Sequence, residues 1–357
     1  MSEVSLLRDA AAACERAGEW LEADRIYAKA YELAVQERNI AAMVDGLRRM
    51  ANVRFRHTEA EEAAELAELS AEIALRSGLR AAAARAWNVL AVIRHSCGDL
   101  REAAALYESA LELALEADDA STAGIVFQNL GVIANIHGDY RGARILYLET
   151  IASFVRSGNR EAAMTAYNNL GMVCTDLGEW MEAEVYFARG IEIAEQLPDI
   201  TMLAKLHGNR AEPLIRVGDF AAAQRSLSVA AEFAARTGDV RTEADVNRYR
   251  GIIARLTGDY DAAESYLARA LEICAGDDLA LERAEALEEV ARLRLAQKRI
   301  GAARILLREA MEICKRLAAA RDVIRLGQLY EAAAPAVESS DAACTGRAEE
   351  ERRASSP

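Results

Sequence analysis

An alanine recurs eight times at intervals of 40 residues, at Ala23, Ala63, Ala103, Ala143, Ala183, Ala223, Ala263 and Ala303. Just ahead of most of them stands a short turn: Gly18-Glu19-Trp20, Gly98-Asp99-Leu100, Gly138-Asp139-Tyr140, Gly178-Glu179-Trp180, Gly218-Asp219-Phe220 and Gly258-Asp259-Tyr260. Repeats two and eight keep the place without the glycine, reading Thr58-Glu59-Ala60 and Lys298-Arg299-Ile300. A period this long and regular restricts the chain to a stacked-repeat architecture, in which each unit buries its apolar face only against its neighbours.

Between the turns, apolar residues fall three and four apart, without the two-residue alternation of strands, so each repeat reads as two helices. In repeat five the spacing predicts helices over about 161–177 and 180–196. The turn glycine permits a left-handed residue where the first helix stops, and the acid after it faces the unpaired N–H groups of the next helix. A turn this tight makes the pair antiparallel. One column of small residues reads Ala11, Ala51, Ala91, Gly131, Gly171, Ala211, Gly251, Ala291, and another Ala30, Ser70, Ala110, Thr150, Gly190, Ala230, Ala270, Ala310. Large residues alternate with them, Trp87, Phe127 and Tyr167 on first helices and Tyr27, Tyr107, Tyr147 and Phe187 on second helices, so that bulk on one helix fills the space left on the next.

The pattern aromatic-x-x-Leu-Gly, Gly-Asp-Tyr-x-x-Ala, aromatic-x-x-Ala-Leu-Glu resembles the tetratricopeptide repeat, best in Phe127 to Gly131 with Gly138-Asp139-Tyr140 and Ala143, and in Tyr167 to Gly171 with Gly178-Glu179-Trp180 and Ala183. The resemblance spans roughly residues 4 to 334, with 40 residues per repeat instead of the common 34. Such longer repeats look like those of kinesin light chains, Pins-type scaffolds and bacterial Rap- and MalT-type regulators. The resemblance implies an all-α, right-handed superhelical solenoid of about eight helix-turn-helix repeats plus a C-terminal closing helix. It also implies that first helices line the concave wall, and that the protein works by binding.

No Pro/Gly/Ser-rich linker interrupts the period, so the expected organisation is one continuous solenoid over 1–334, with repeats near 4–43, 44–83, 84–123, 124–163, 164–203, 204–243, 244–283 and 284–320, then a closing helix 321–334. Residues 335–357 are too poor in apolar side chains to pack and read as a disordered tail. Pro198 and Pro335 fall where helix breaking is harmless, whereas Pro213 lies inside the first helix of repeat six and is expected to kink it. With no apolar run of membrane-spanning length and no signal segment, a cytoplasmic protein is expected. The abundance of Ala and Arg fits a GC-rich bacterial genome. Six cysteines without a CxxC pair read as reduced thiols, and Cys274 and Cys314, alike in adjacent repeats, are expected to stay unbridged.

Neither a catalytic nor a metal pattern is present: His57, His95, His137 and His207 lack metal-ligand spacing, and HExxH, GxSxG, GxGxxG and P-loop motifs do not occur. No enzyme activity and no cofactor are expected. The net charge of −14 disfavours direct nucleic-acid binding. Charge is nonetheless sorted by helix. Arg48, Arg49, Arg54 and Arg56 mark the first helix of repeat two, and Glu59, Glu61, Glu62, Glu65, Glu68 and Glu72 its second.

On the inner stripe, the spacing puts Arg48 and Asn52 in repeat two, Arg85, Asn88 and His95 in repeat three, Gln128 and Asn135 in repeat four, and Thr165 and Asn168 in repeat five. Amides can serve a peptide backbone as donor and acceptor, and arginine offers a fork to carboxylates. These nine residues are the candidate partner-binding set. Asn129, Asn169 and Asn209, one place along, read instead as repeat consensus. The expected partner is a protein or peptide, acidic in one reading, held by a scaffold or regulator without membrane insertion. A signal receptor that binds a peptide or small molecule and controls a transcription factor or phosphatase is the alternative, and an accessory subunit of an enzyme complex a further one. A polar seam, Arg210 and Arg250 beside His207 and Asn247, requires those arginines to find carboxylates, with Glu212 and Glu243 near in sequence, or to face water. With Pro213, the seam reads either as a local irregularity or as a joint.

Overall fold

The computed structural model describes residues 2–57, 60–197 and 199–333. Thr58 and Glu59 of the expected second turn, Pro198, Ala334 of the expected closing segment, and the expected tail 335–357 with Pro335 and Cys344 lie outside the described residues. Among the described residues the secondary structure is entirely helical.

The chain divides into two compact units, Met1–Ala223 and Gln224–Pro357. In the first, α1 (Glu3–Arg16), α3 (Ile40–Phe55), α5 (Arg80–Ser96), α7 (Ala120–His137), α9 (Arg160–Asp176) and α11 (Ile200–Arg216) are first helices. They alternate with second helices α2 (Trp20–Gln36), α4 (Ala60–Arg76), α6 (Leu100–Glu116), α8 (Tyr140–Ser157) and α10 (Trp180–Gln196). The unit boundary falls within α12 (Phe220–Thr237). The second unit continues with α13 (Val240–Thr257), α14 (Tyr260–Ile273), a 3-10 turn at Asp277–Leu279, α15 (Ala280–Ala296), α16 (Ile300–Arg316) and the closing helix α17 (Ala320–Ala332). The helices expected in repeat five match α9 and α10 to within a residue. α11 runs through Pro213 without interruption.

The stops explain the lengths. A left-handed residue ends helices at 20-residue spacing: Gly18, Arg38, Gly78, Gly98, Asp118, Gly138, Gly158, Gly178, Gly218, Gly238, Gly258, Lys298 and Ala318 all have positive φ. The 40-residue repeat is therefore two near-equal halves. Where the acid after the turn is aspartate, its carboxylate accepts a first-turn N–H, as Asp99 does from Glu102 and Asp139 from Gly142. Glu19 and Glu179, one methylene longer, make no such cap.

Packing follows the small and large columns, offset by 16 residues across each pair. A Cβ on Gly131 would come within 2.8 Å of the Tyr147 ring, and one on Gly171 within 2.7 Å of Phe187. Ala91 and Tyr107, like Ala11 and Tyr27, meet in the same way inside their clusters. The recurring Ala23, Ala63, Ala103, Ala143 and Ala183 are fully buried. In the first unit, first helices also touch the first helix of the next repeat, α3 with α5, α5 with α7 and α9 with α11.

Candidate functional site

The first helices of repeats one to three, together with parts of α2 and α6, line an open cavity of about 880 Å³ in the first unit. Arg8 of α1, Arg48 and Arg49 of α3, and Arg80 and Arg85 of α5 line it, opposed by the carboxylates of Asp45 and Glu116. At its floor Asp45 serves two guanidiniums at once: Arg48 Nη2 donates at 2.6 Å and Arg49 Nε at 3.1 Å. Burial would push the Asp45 carboxyl up, but the charges of Arg48 and Arg49 outweigh it and hold the group below the usual carboxylate range. Arg49 also donates to the Tyr27 hydroxyl at 3.2 Å, stands over that ring at 5.7 Å, and Tyr27 in turn donates to Glu15. Tyr27 fills the space over Ala11, so packing and polar positioning here use one side chain.

The sorted charges of the sequence face one another. Arg85 donates to Asp119 at 2.7 Å, while Asp119 caps α7 through the Thr122 N–H and hydroxyl. Arg80 pairs with Glu116, Arg94 with Glu61 and Glu102, and Arg54 with Asp24. The acids of second helices and turns thus reach the arginines of first helices, and an unpaired basic wall does not describe them.

The remaining candidates separate. Asn88 accepts from Asn129 Nδ2 at 3.1 Å and Asn168 from Asn209 Nδ2 at 2.9 Å. The two asparagine columns, read as unrelated in the sequence, therefore staple successive first helices to each other. Asn168 is buried. Its own Nδ2 lies 3.5 Å from Asn169 Oδ1 and 3.6 Å from Met172 Sδ. His95 meets the buried Tyr107 ring edge-on, 6.5 Å between centroids, so it packs inside its own helix pair. The Asn135 Oδ1 is buried with no hydrogen-bond partner among the described residues. Asn52, Gln128 and Thr165 are half-buried. Arg48 and Arg85 are thus brought together in one cavity, whereas Asn88 and Asn168 serve as inter-helix links.

Arg8, Arg49, Arg80, Asp119 and Glu116 were not among the candidates. Arg8 was findable, standing 40 residues before Arg48 in the same column. The acids were not, because their partners lie 34 to 36 residues away on other helices. At the seam, Arg210 finds its carboxylate on Glu184 of α10, with Nε to Oε2 at 2.6 Å; Glu212 goes to Arg216, and Glu243 to Arg269. Burial and the Arg210 charge bring the His207 imidazole down to about 4, against a smaller opposing pull from Glu184. Cys274 and Cys314 are buried free thiols.

Among the described residues no helix is long and apolar enough to cross a membrane, and no group of three or more His, Cys, Asp or Glu could hold a metal ion. Models of the tetratricopeptide repeat match residues 86–121, 163–197 and 242–316. No curated protein matches the chain. Solved structures do. The apo form of RapI is 14% identical with a TM-score of 0.56, over 76% of this chain and 97% of that one. A Rap protein complexed with competence and sporulation factor is 14% identical with a TM-score of 0.55, over 93% and 97%. The Rap conjugation gene regulator of the plasmid pLS20, in complex with the Phr* peptide, is 17% identical with a TM-score of 0.51, over 82% and 76%. Stacked helix pairs, the small-against-large columns and the three matched segments together make the chain a tetratricopeptide-repeat protein, similar in fold to the Rap regulators.

Proposed function

We propose that the chain is a non-enzymatic interaction protein that holds an extended acidic segment of a partner protein along the first helices of repeats two to five. The observation that carries this reading is the gathering of five arginines in the cavity at one end of that wall, held by four carboxylates, Asp45 and Glu116 in its lining and Asp9 and Asp119 beside it, so that guanidinium stays in excess by one. From there the inner stripe continues into amides. Pairing with Asn129 uses the Oδ1 of Asn88 and leaves its nitrogen with no partner among the described residues, available to a peptide carbonyl. Repeat solenoids suit this task, since stacking produces a long continuous surface. Two of the solved neighbours are bound to a peptide or a factor, which favours as second reading a receptor whose peptide is a signal.

The test is a selection of ten-residue peptides on the purified chain, followed by fluorescence anisotropy. Arg85→Ala is the sharper probe of charge, because the Arg48 side chain is only 15% exposed and its loss also disturbs Asp45. We expect acid-enriched peptides whose affinity falls about tenfold in Arg85→Ala, with a flatter salt dependence, since the lost attraction is Coulombic. Asn88→Ala should weaken binding with the salt slope unchanged. Selected peptides without acid enrichment, or full affinity in Arg85→Ala at low salt, would remove the reading.

A further inference from the structure

The cavity of repeats one to three has features that a line of peptide carboxylates does not explain. Its volume of about 880 Å³ lies in the range of pockets that enclose whole small molecules, ~300–1,000 Å³. Its arginines are held ready: Arg48 and Arg49 share one carboxylate, Arg80 and Arg85 are braced by Glu116 and Asp119, and Arg8 lies 3.5 Å from Asp9. Each brace occupies part of a five-donor fork, and the positive charge still exceeds the negative. The helix starts opening into the cavity differ from one another. Asn39 caps α3 by accepting the Ala42 N–H, whereas Leu79 leaves α5 without a side-chain cap, and Leu79, Arg80, Ala81 and Ala82 all line the cavity. An uncapped helix start beside several guanidiniums favours an anion with many acceptor oxygens.

We propose that this cavity binds a small molecule carrying phosphate groups, with two or more negative charges, independently of whether a partner segment also lies along the wall. A phosphate presents three terminal oxygens and close to two charges near neutral pH, so one group can accept from several forks and from the α5 N–H groups together. A carboxylate offers two oxygens and one charge, and would leave most of these donors to water. Arg48 and Arg49 form the floor; Arg8 and Arg80, with side chains 46% and 61% exposed, form the rim.

The experiment uses the full chain and inorganic pyrophosphate as probe, with succinate as a dicarboxylate control at matched ionic strength, read by calorimetric titration and thermal shift. Pyrophosphate should bind with a single-site isotherm and raise the unfolding temperature; succinate should bind at least tenfold more weakly. Arg8→Gln and Arg80→Gln, exposed enough to leave the packing intact, should each weaken pyrophosphate about tenfold, the scale of one charge-assisted contact. Arg49→Lys should weaken it as well, because an ammonium cannot replace the fork. Equal binding of succinate, no response to pyrophosphate in the folded parent chain, or undiminished affinity in both rim variants would overturn the proposal. Peptide binding without a pyrophosphate response removes the pocket and leaves the wall; pyrophosphate binding without any selected peptide does the reverse.

Discussion

Asn88 and Asn168 in the first unit and Arg248 and Glu288 in the second occupy one column of the 40-residue register, yet they link their helices by different chemistry. In the first unit the links at this column are neutral, Asn88 to Asn129 and Asn168 to Asn209, although Arg85 and Asp119 add an ionic one beside them. In the second they are ionic. Arg248 of α13 pairs with Asp245 and with Glu285 of α15; Glu288 takes Arg292 and, from α17, Arg325; Arg241 reaches Glu282, and Arg255 reaches Glu289. The register therefore fixes where a side chain stands between two first helices. It leaves open whether the link responds to pH and salt. Neutral amides do not, whereas buried charges depend on their partners.

The largest expected difference follows from Glu288, whose side chain is 5% exposed and serves both Arg292 and Arg325. Its removal in Glu288→Ala strands two guanidiniums, although Asp322 and Glu289 keep a share of them. We expect a loss of about 2–3 kcal/mol in denaturant unfolding, below the full cost of breaking a buried pair because both arginines reach solvent. Asn168→Ala should cost only about 1 kcal/mol, one neutral hydrogen bond, because the Asn209 amide it leaves is half-buried and reaches water. Equal losses in the two variants would erase the contrast between the units.

Acidification should separate the units by sign. His207, in the first unit, has its imidazole brought down to about 4 by burial and by Arg210. Between that value and its ordinary one, the folded state binds fewer protons than the unfolded state, so its share of stability is full above pH 6.5 and disappears as pH falls toward 4. At pH 5 this amounts to about 1–2 kcal/mol relative to pH 7. Glu285, in the second unit, is raised by burial despite the opposing charge of Arg248. Its folded form binds more protons, so its share is greatest below the ordinary glutamate range and diminishes as pH rises through the raised value. His207→Phe, which restores the aromatic of Trp87 and Phe127, should remove the His207 share, about 1–2 kcal/mol, from the stability difference between pH 7 and 5 and leave the Glu285 share in place. A pH difference that the substitution leaves unchanged would assign the effect elsewhere.

The fold was legible because its determinants are periodic. Recurring alanines mark helix crossings, and Gly171 facing Phe187 repeats what Ala91 does with Tyr107. The half-period is marked by a glycine at Gly78, Gly158 and Gly238 but not at Arg38, Asp118 and Ala318, which take left-handed backbone without a glycine to announce it. The site was legible only as positions. Arg48 and Arg85 belong to the cavity; Arg48 has its carboxylate three residues away in Asp45, but other partners come from separations of a whole repeat or a helix pair: Asp119 lies 34 residues from Arg85, and Glu184 lies 26 residues from Arg210. Reasoning from local helix spacing reaches three or four residues and so offered Glu212, which another arginine holds. The pairing of Asn88 with Asn129, 41 residues on, escaped for the same reason.

The smallest effect is the most specific test of the contrast. A double-mutant cycle on Asn168 and Asn209 isolates the 2.9 Å amide pair from the packing each residue also contributes. Its coupling should be roughly 0.5–1 kcal/mol, the net worth of one neutral hydrogen bond. The matching cycle on Arg255 and Glu289, joined at 2.9 Å with both side chains largely buried, measures the ionic link. Raising salt from 0.05 to 0.5 M, values at which the screening length shortens from more than ~10 Å to a few ångströms, should lower the second coupling and leave the first unchanged. The ionic pair is screened only in part, because it is mostly out of water, so the expected decrease is a few tenths of a kcal/mol. Should the amide coupling fall with salt by the same amount, Asn168 and Asn209 would be responding to a neighbouring charge, and the first unit's asparagine column would no longer count as the neutral member of the comparison.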